Sequence, residues 1–267
     1  MMNTGSRIIA VANLKGGVAK TTTCLSLAGA AGRAGKRVLL VDTDPQGSLT
    51  RVAAPDKPDW MSLERAFQQR ARSLDGTRRP SRFPNVDLVH TSLAFDAVLQ
   101  TAVAWEGREY VLADMLAPHT AQYDLILLDC RPAVDLSVVN ALSASRWLLA
   151  PVEADFMALD GYAHVRSLAQ RLRQRINPAL QLLGLLPTKY RLSTAHSRQA
   201  LAEIQHQAKT DEACLCFDPI RLSVAASDAN ARGLSLAQFA PSAPISREYQ
   251  RAAEQILAFL EAEDEQK

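Results

Sequence analysis

Ile8-Ile9-Ala10-Val11-Ala12-Asn13-Leu14-Lys15-Gly16-Gly17-Val18-Ala19-Lys20-Thr21-Thr22-Thr23 is the stretch on which the reading of this chain turns. A β-branched apolar run enters a glycine pair, and a lysine with three threonines then opens a helix. In that layout backbone N–H groups and a helix N-terminus cradle phosphates. Lys20 is placed to reach the β- and γ-phosphates of a nucleotide, and the Thr21 hydroxyl to ligate Mg²⁺. The common spacing Gly-x-x-x-x-Gly-Lys-Ser/Thr fails at both glycines, with Leu14 at the first and Ala19 at the second. A surface turn carrying two solvated lysines is the competing reading. It leaves the order of strand, loop and helix unexplained.

Outward from that loop, 267 residues fit one α/β domain, taken as residues 1–267, and a 48% hydrophobic content suffices for a large buried sheet. A net charge of +2 is too mild to announce a nucleic-acid partner, so such binding must come from local clustering. No apolar run approaches the roughly 20 residues of a membrane span. The polar start, Met1 to Arg7, is too short for a secretory signal. Cys24, Cys130, Cys214 and Cys216 sit at unrelated places, and Cys214-x-Cys216 lacks the spacing of a zinc knuckle. They read as free thiols in a reducing cytoplasm.

Apolar strand-like runs alternate with amphipathic stretches, the pattern of a mostly parallel central sheet flanked by helices on both faces. Strands are expected at 8–12, 38–41, 87–90, 125–128, 147–152 and 182–186, with a further one at 214–217. Helices are expected at 21–34, 135–143, 161–175, 197–207 and 247–261 from their apolar period. The segment 70–84 carries five arginines without such a period and reads as a solvated loop.

Two further segments place carboxylates at strand ends, where ligands bind in open α/β sheets. Val41-Asp42-Thr43-Asp44-Pro45-Gln46-Gly47-Ser48 puts two just past a strand; an Asp that merely caps the turn is the bland alternative. Asp129 follows four consecutive apolar residues, and an Asp so placed can hold Mg²⁺ through a water.

Lys15-Gly16-Gly17-x-x-Lys20-Thr21-Thr22 resembles the deviant Walker A motif of the ParA/MinD family of ATPases, whose fold is that of P-loop NTPases. The resemblance covers nearly the whole chain and is most specific in the first 50 residues. It implies ATP and Mg²⁺ as cofactors. The implied nucleotide contacts are Lys15, Gly16, Gly17, Val18, Ala19, Lys20, Thr21 and Thr22, with Pro219 near the adenine. In the family the extra lysine, here Lys15, crosses a dimer interface to the other subunit's nucleotide. Asp42-x-Asp44-Pro45-Gln46-Gly47 resembles the family's second box, in which Asp44 would position the attacking water and Asp42 support the metal. Asp129 matches the Walker B carboxylate, so Thr21, Asp42 and Asp129 form the implied metal set and Lys15, Lys20 and Asp44 the catalytic one. Where the family usually continues Asp-x-Pro-Pro, this chain has Asp129-Cys130-Arg131-Pro132, which places a cation near the phosphates or the dimer interface.

Further along, Pro151 to Gly161 and Arg221-Leu222-Ser223-Val224-Ala225-Ala226-Ser227 are also similar to ParA sequences. The resemblance therefore implies an ATP-bound homodimer that binds DNA non-specifically and moves a plasmid, chromosome or other cargo. Its slow hydrolysis would be stimulated by a ParB-like or cargo-adaptor partner. Lys189, Arg191, Arg198, Arg221, Arg247 and Arg251 are the candidate DNA contacts; singly each is equally read as a solvated cation. The acidic end Glu261-Ala262-Glu263-Asp264-Glu265-Gln266-Lys267 opposes docking on anionic lipid, so no membrane partner is expected. No helix-turn-helix domain fits before Ile8, and a cytoplasmic, nucleoid-associated protein is expected. A metabolic P-loop enzyme of similar fold is the alternative, as is a cargo-positioning relative.

Overall fold

The computed structural model describes residues 7–56 and 58–265; the readings placed on residues 1–6 and on Gln266 and Lys267 lie outside the described residues. In chain order the elements begin β1 (Ile8–Val11), α1 (Lys20–Arg33), β2 (Val38–Asp42), α2 (Ser48–Ala53) and α3 (Leu63–Gln68). There follow β3 (Arg78–Pro80), β4 (Val86–Val89), α4 (Ala94–Ala102), α5 (Val111–Leu116), β5 (Leu125–Asp129) and α6 (Leu136–Ala144). The last part comprises β6 (Trp147–Glu153), α7 (Asp160–Arg175), β7 (Gln181–Thr188), α8 (Ala195–Thr210), α9 (Val224–Ala231), α10 (Leu236–Phe239) and α11 (Pro244–Glu265).

One seven-stranded sheet has the order β3-β4-β2-β5-β1-β6-β7, parallel throughout except for the antiparallel β3–β4 pair. Because successive side chains on a strand point to opposite faces, Ile8 and Ala10 join Leu39, Val41, Ile126 and Leu128 in one core. Ile9, Val11, Val38, Leu40, Leu125 and Leu127 enter the other. Helices α3 to α8 cover the first face, and α1, α2 and α9 to α11 the second. Burial on both sides is why the strands read as continuous apolar runs instead of alternating ones.

Besides short helices that the sequence reading did not expect, two details at the sheet edges depart from it. Residues 214–217 form no strand: Cys214 N–H and Leu215 N–H donate to Leu182 O (3.1 Å) and Leu183 O (2.7 Å), so the segment lies along the open edge of β7. At the opposite edge the solvated 70–84 segment contains β3, a three-residue strand ending in Pro80. An edge strand this short needs no apolar period, since β4 supplies its pairing.

Candidate functional site

The inner strand β1 ends between β5 and β6, and the loop after it runs into the first turn of α1. Gly17 (φ 76°) and Ala19 (φ 69°) both adopt left-handed backbone. The second missing glycine is therefore absent as a residue but present as a conformation, and Ala19 carries the strain that glycine would avoid. Asn13, which the sequence reading did not single out, fixes the loop. Its buried side-chain amide donates to Pro151 O (2.8 Å), and its oxygen accepts from Lys15 N–H (2.9 Å). Gly161 at the start of α7 abuts the same segment: a Cβ there would fall within 2.6 Å of Lys15 N and collide with Asn13 Oδ1. The Thr188 hydroxyl at the end of β7 donates to Val18 O (3.1 Å).

A cavity of about 690 Å³ opens above the loop, lined by Gly17, Ala19, Lys20, Thr21 and Thr22 and by Asp44, Ser48, Arg51 and Pro132. Lys20 is buried and donates to Lys15 O (3.1 Å). Burial pushes its ammonium below the ordinary lysine range, against the opposing pull of Asp129, Cys130 and Asp44. An anion in the cavity would offset that desolvation.

Asp42 and Asp129 are adjacent partners on β2 and β5, and both are fully buried. Burial drives the Asp42 carboxyl up to about 7, with hydrogen bonds from Thr50 holding it down. Burial and then the neighbouring Asp42 raise Asp129 well above the carboxylate range. Asp42 Oδ2 accepts from Thr50 N–H (2.8 Å) and from its hydroxyl (2.7 Å), while Oδ1 accepts from Asp44 N–H (3.2 Å). Its oxygens thus shape the loop that carries Asp44. Asp129 Oδ2 accepts from the Thr21 hydroxyl (2.7 Å), and buried Oδ1 has no hydrogen-bond partner. A hydroxyl, an unsatisfied carboxylate oxygen and surplus negative charge fit a hard divalent cation. Among the described residues no group of three or more His, Cys, Asp or Glu side chains could hold a metal by itself. The remaining oxygens must come from phosphate and water, as is usual for Mg²⁺. Half-buried Asp44 lines the cavity and accepts from Gln46 N–H (3.0 Å).

Lys15 and Pro219 do not line this cavity. The half-buried Lys15 side chain makes no hydrogen bond or ion pair among the described residues. Asn230 and Ala231 of α9, not singled out from the sequence, do line it, as does Lys189. Lys189 pairs with Glu153 (3.4 Å), so of the six candidate DNA contacts it alone faces the nucleotide cleft. The others gather on neighbouring segments. Arg198 donates to Leu192 O (3.0 Å), and Tyr190 pairs with Arg221 in a β-bridge. Arg221 bonds through Nε to buried Glu248 (2.6 Å), next to Arg247 on α11, and Arg251 lies 4.0 Å from Asp218. Among the described residues Arg191, Arg198 and Arg247 are exposed without an ion pair.

Comparison with known proteins bears on family and fold. A family model described as an AAA domain matches residues 6–182. The chromosome-partitioning ATPase Soj of Thermus thermophilus is 35% identical over 260 residues, 97% of this chain and 98% of that protein. Among solved structures, cobyrinic acid a,c-diamide synthase from Mycobacterium smegmatis with bound ADP and magnesium superposes with a TM-score of 0.79 at 29% identity, covering 94% of each chain. McdA from Cyanothece in an ATP complex has a TM-score of 0.83 at 21% identity, covering 94% of this chain and 96% of its own. That last likeness concerns the fold.

Proposed function

The chain belongs to the ParA/MinD family of P-loop ATPases, and from that membership we propose a ParA-type ATPase whose nucleotide site is completed by a second copy of the chain. ATP is the nucleotide and Mg²⁺ the metal. Mg²⁺ held through Thr21 and Asp129 would supply neutralisation of the β- and γ-phosphate oxygens. Lys20 and the loop amides bind and orient the phosphates, and Asp44 orients the attacking water.

The observation that carries the dimer is Lys15, fixed by Asn13 and Gly161 yet outside its own cavity. Around the same edge of the sheet stand exposed apolar side chains, Val134 (58%), Phe156 (81%) and Leu192 (77%), in the loops after β5, β6 and β7. A lysine outside its own cavity, with exposed apolar side chains on the same strand-end edge, suits a face covered by a like copy. The ATP dimer would bind duplex DNA non-specifically through Arg191, Arg198, Arg221, Arg247 and Arg251, place the protein on the nucleoid, and segregate or position a plasmid, chromosome or other cargo. A ParB-like or cargo-adaptor protein would speed its slow turnover.

Hydrolysis and size-exclusion measurements with ATP test this reading. Lys15→Gln is expected to lose ATP-dependent dimerisation and most turnover while the monomer still binds nucleotide. Undiminished turnover removes the role of Lys15 across the interface. A metabolic P-loop enzyme is the second reading, favoured by the synthase structure at 29% identity. Salt-sensitive stimulation of hydrolysis by duplex DNA decides for the first reading, and its absence for the second.

A further inference from the structure

Arg131 stands where the family pattern has a proline, two residues past Asp129. Its guanidinium is turned to protein carboxylates. Nη1 alone donates to Asp96 Oδ1 (2.6 Å) and to Asp135 Oδ2 (2.9 Å). The other oxygen of Asp135 caps α6, accepting from Ser137 N–H (3.1 Å), Val138 N–H (3.1 Å) and the Ser137 hydroxyl (2.7 Å). Asp96 sits in the first turn of α4, where the helix dipole favours a carboxylate.

Sheet order gives these contacts their meaning. Helix α4 follows β4, Arg131 follows β5, and β2 lies between those two strands. The Arg131–Asp96 pair therefore joins the loops on either side of the loop that carries Asp44. That loop already touches its neighbour, since Thr91 N–H donates to the Thr50 hydroxyl (3.3 Å), itself bonded to Asp42. Asp44 also lies close enough to contribute to the field at Arg131.

We propose that Arg131 is a positioning residue, a strap between the β4 and β5 loops that holds the Asp44 loop in register with the phosphate site. The strap rests on the reading of Asp44 as the residue that orients water for ATP hydrolysis. It also separates two roles for an extra cation. A strap acts through Asp96, whereas a phosphate ligand would be hindered by it.

Steady-state hydrolysis by the full chain distinguishes them. Arg131→Ala and Asp96→Asn are each expected to lower kcat by about ten- to a hundredfold, the scale of a small misplacement at a reacting centre, with KM for ATP little changed. The double variant should be no worse than Arg131→Ala alone, since that substitution already removes the contact with Asp96. Arg131→Lys should recover much of kcat, because both bonds run through one nitrogen. Hydrogen exchange of residues 43–53 should quicken in Arg131→Ala and Asp96→Asn while the sheet strands stay protected and Tm moves little. Additive losses, a raised KM in Arg131→Ala alone, or unchanged exchange in 43–53 overturns the strap. Should wild-type turnover be absent, or survive Asp44→Ala, the ATPase reading of Asp44 fails instead, and exchange in 43–53 still decides the strap.

Discussion

Two groups of charges meet different fates in this molecule. Around the phosphate loop, Lys20, Asp42 and Asp129 are buried, and Asp129 answers to both of the others: after burial itself, Asp42 raises its carboxyl and Lys20 holds it down. Between residues 189 and 251 the cations lie at the surface, several of them leaning on an acid of their own, as Arg221 leans on Glu248 and Arg251 on Asp218. The first arrangement is strained without its ligand and answers to one nucleotide with a large change in free energy. The second is already solvated and answers to any polyanion in small increments that salt erodes.

The sharpest way to break this contrast is Lys20→Ala. Removing the buried partner of the phosphates should weaken ATP binding by about 3 kcal/mol or more, more than a hundredfold, in a titration with a fluorescent analogue. A loss of only a few-fold would put Lys20 with the surface cations.

Next in size is a pH effect on the nucleotide- and metal-free protein. The folded pKa of Asp42 is about 7 against an ordinary value of 3.8. Unfolding therefore releases its proton between those values, and its contribution to stability falls as pH rises from about 4 to 7. Asp42→Asn should flatten the dependence of urea stability on pH across that window. An unchanged slope would show that Asp42 is ionised throughout.

The surface group is expected to yield less per residue. Replacing Arg191, Arg198 and Arg247 together by alanine should lower the affinity of the ATP-bound protein for duplex DNA roughly tenfold at moderate salt. The slope of log K against log salt should shrink by about 0.9 per lost phosphate contact. Equal slopes in the two proteins would place the DNA elsewhere. The smallest effect belongs to Ala19→Gly, which relieves the left-handed backbone and should stabilise the ligand-free chain by at most about 1 kcal/mol in thermal unfolding. Destabilisation would mean that the loop gains from the methyl group.

The same two regions differ in how much of them a linear reading could reach. Lys20, Thr21, Asp44 and Asp129 stand beside the strands and glycines that identify them, so their gathering at one strand-end edge was legible from the sequence. Asn13 was overlooked because its hydrogen bond to Pro151 crosses from the end of β1 to β6, and Gly161 because its requirement is a contact with Lys15. The basic surface is assembled from segments separated along the chain, and nothing in the sequence showed that Lys189 turns into the cleft or that Glu248 holds Arg221. Of the fold, the long strands followed from their continuous apolar runs and the long helices from their apolar periods. Helices α2, α3 and α5, of six residues each, are too short to display a period, and their ends are set by packing on the sheet.

The borders of the sheet carry a consequence for higher-order assembly. At one border β3 ends in Pro80, which has no N–H to offer; at the other, the chain around Leu215 already occupies carbonyls of β7. Both flanks are thus closed to a docking strand, and a chain of copies cannot grow by extending the sheet sideways. Polymerisation into fibres would require one of these seals to be peeled away first. Contact between intact copies would then fall to the helical faces or to the strand-end loops, and at the latter the proposed dimer would share its surface with the phosphate site.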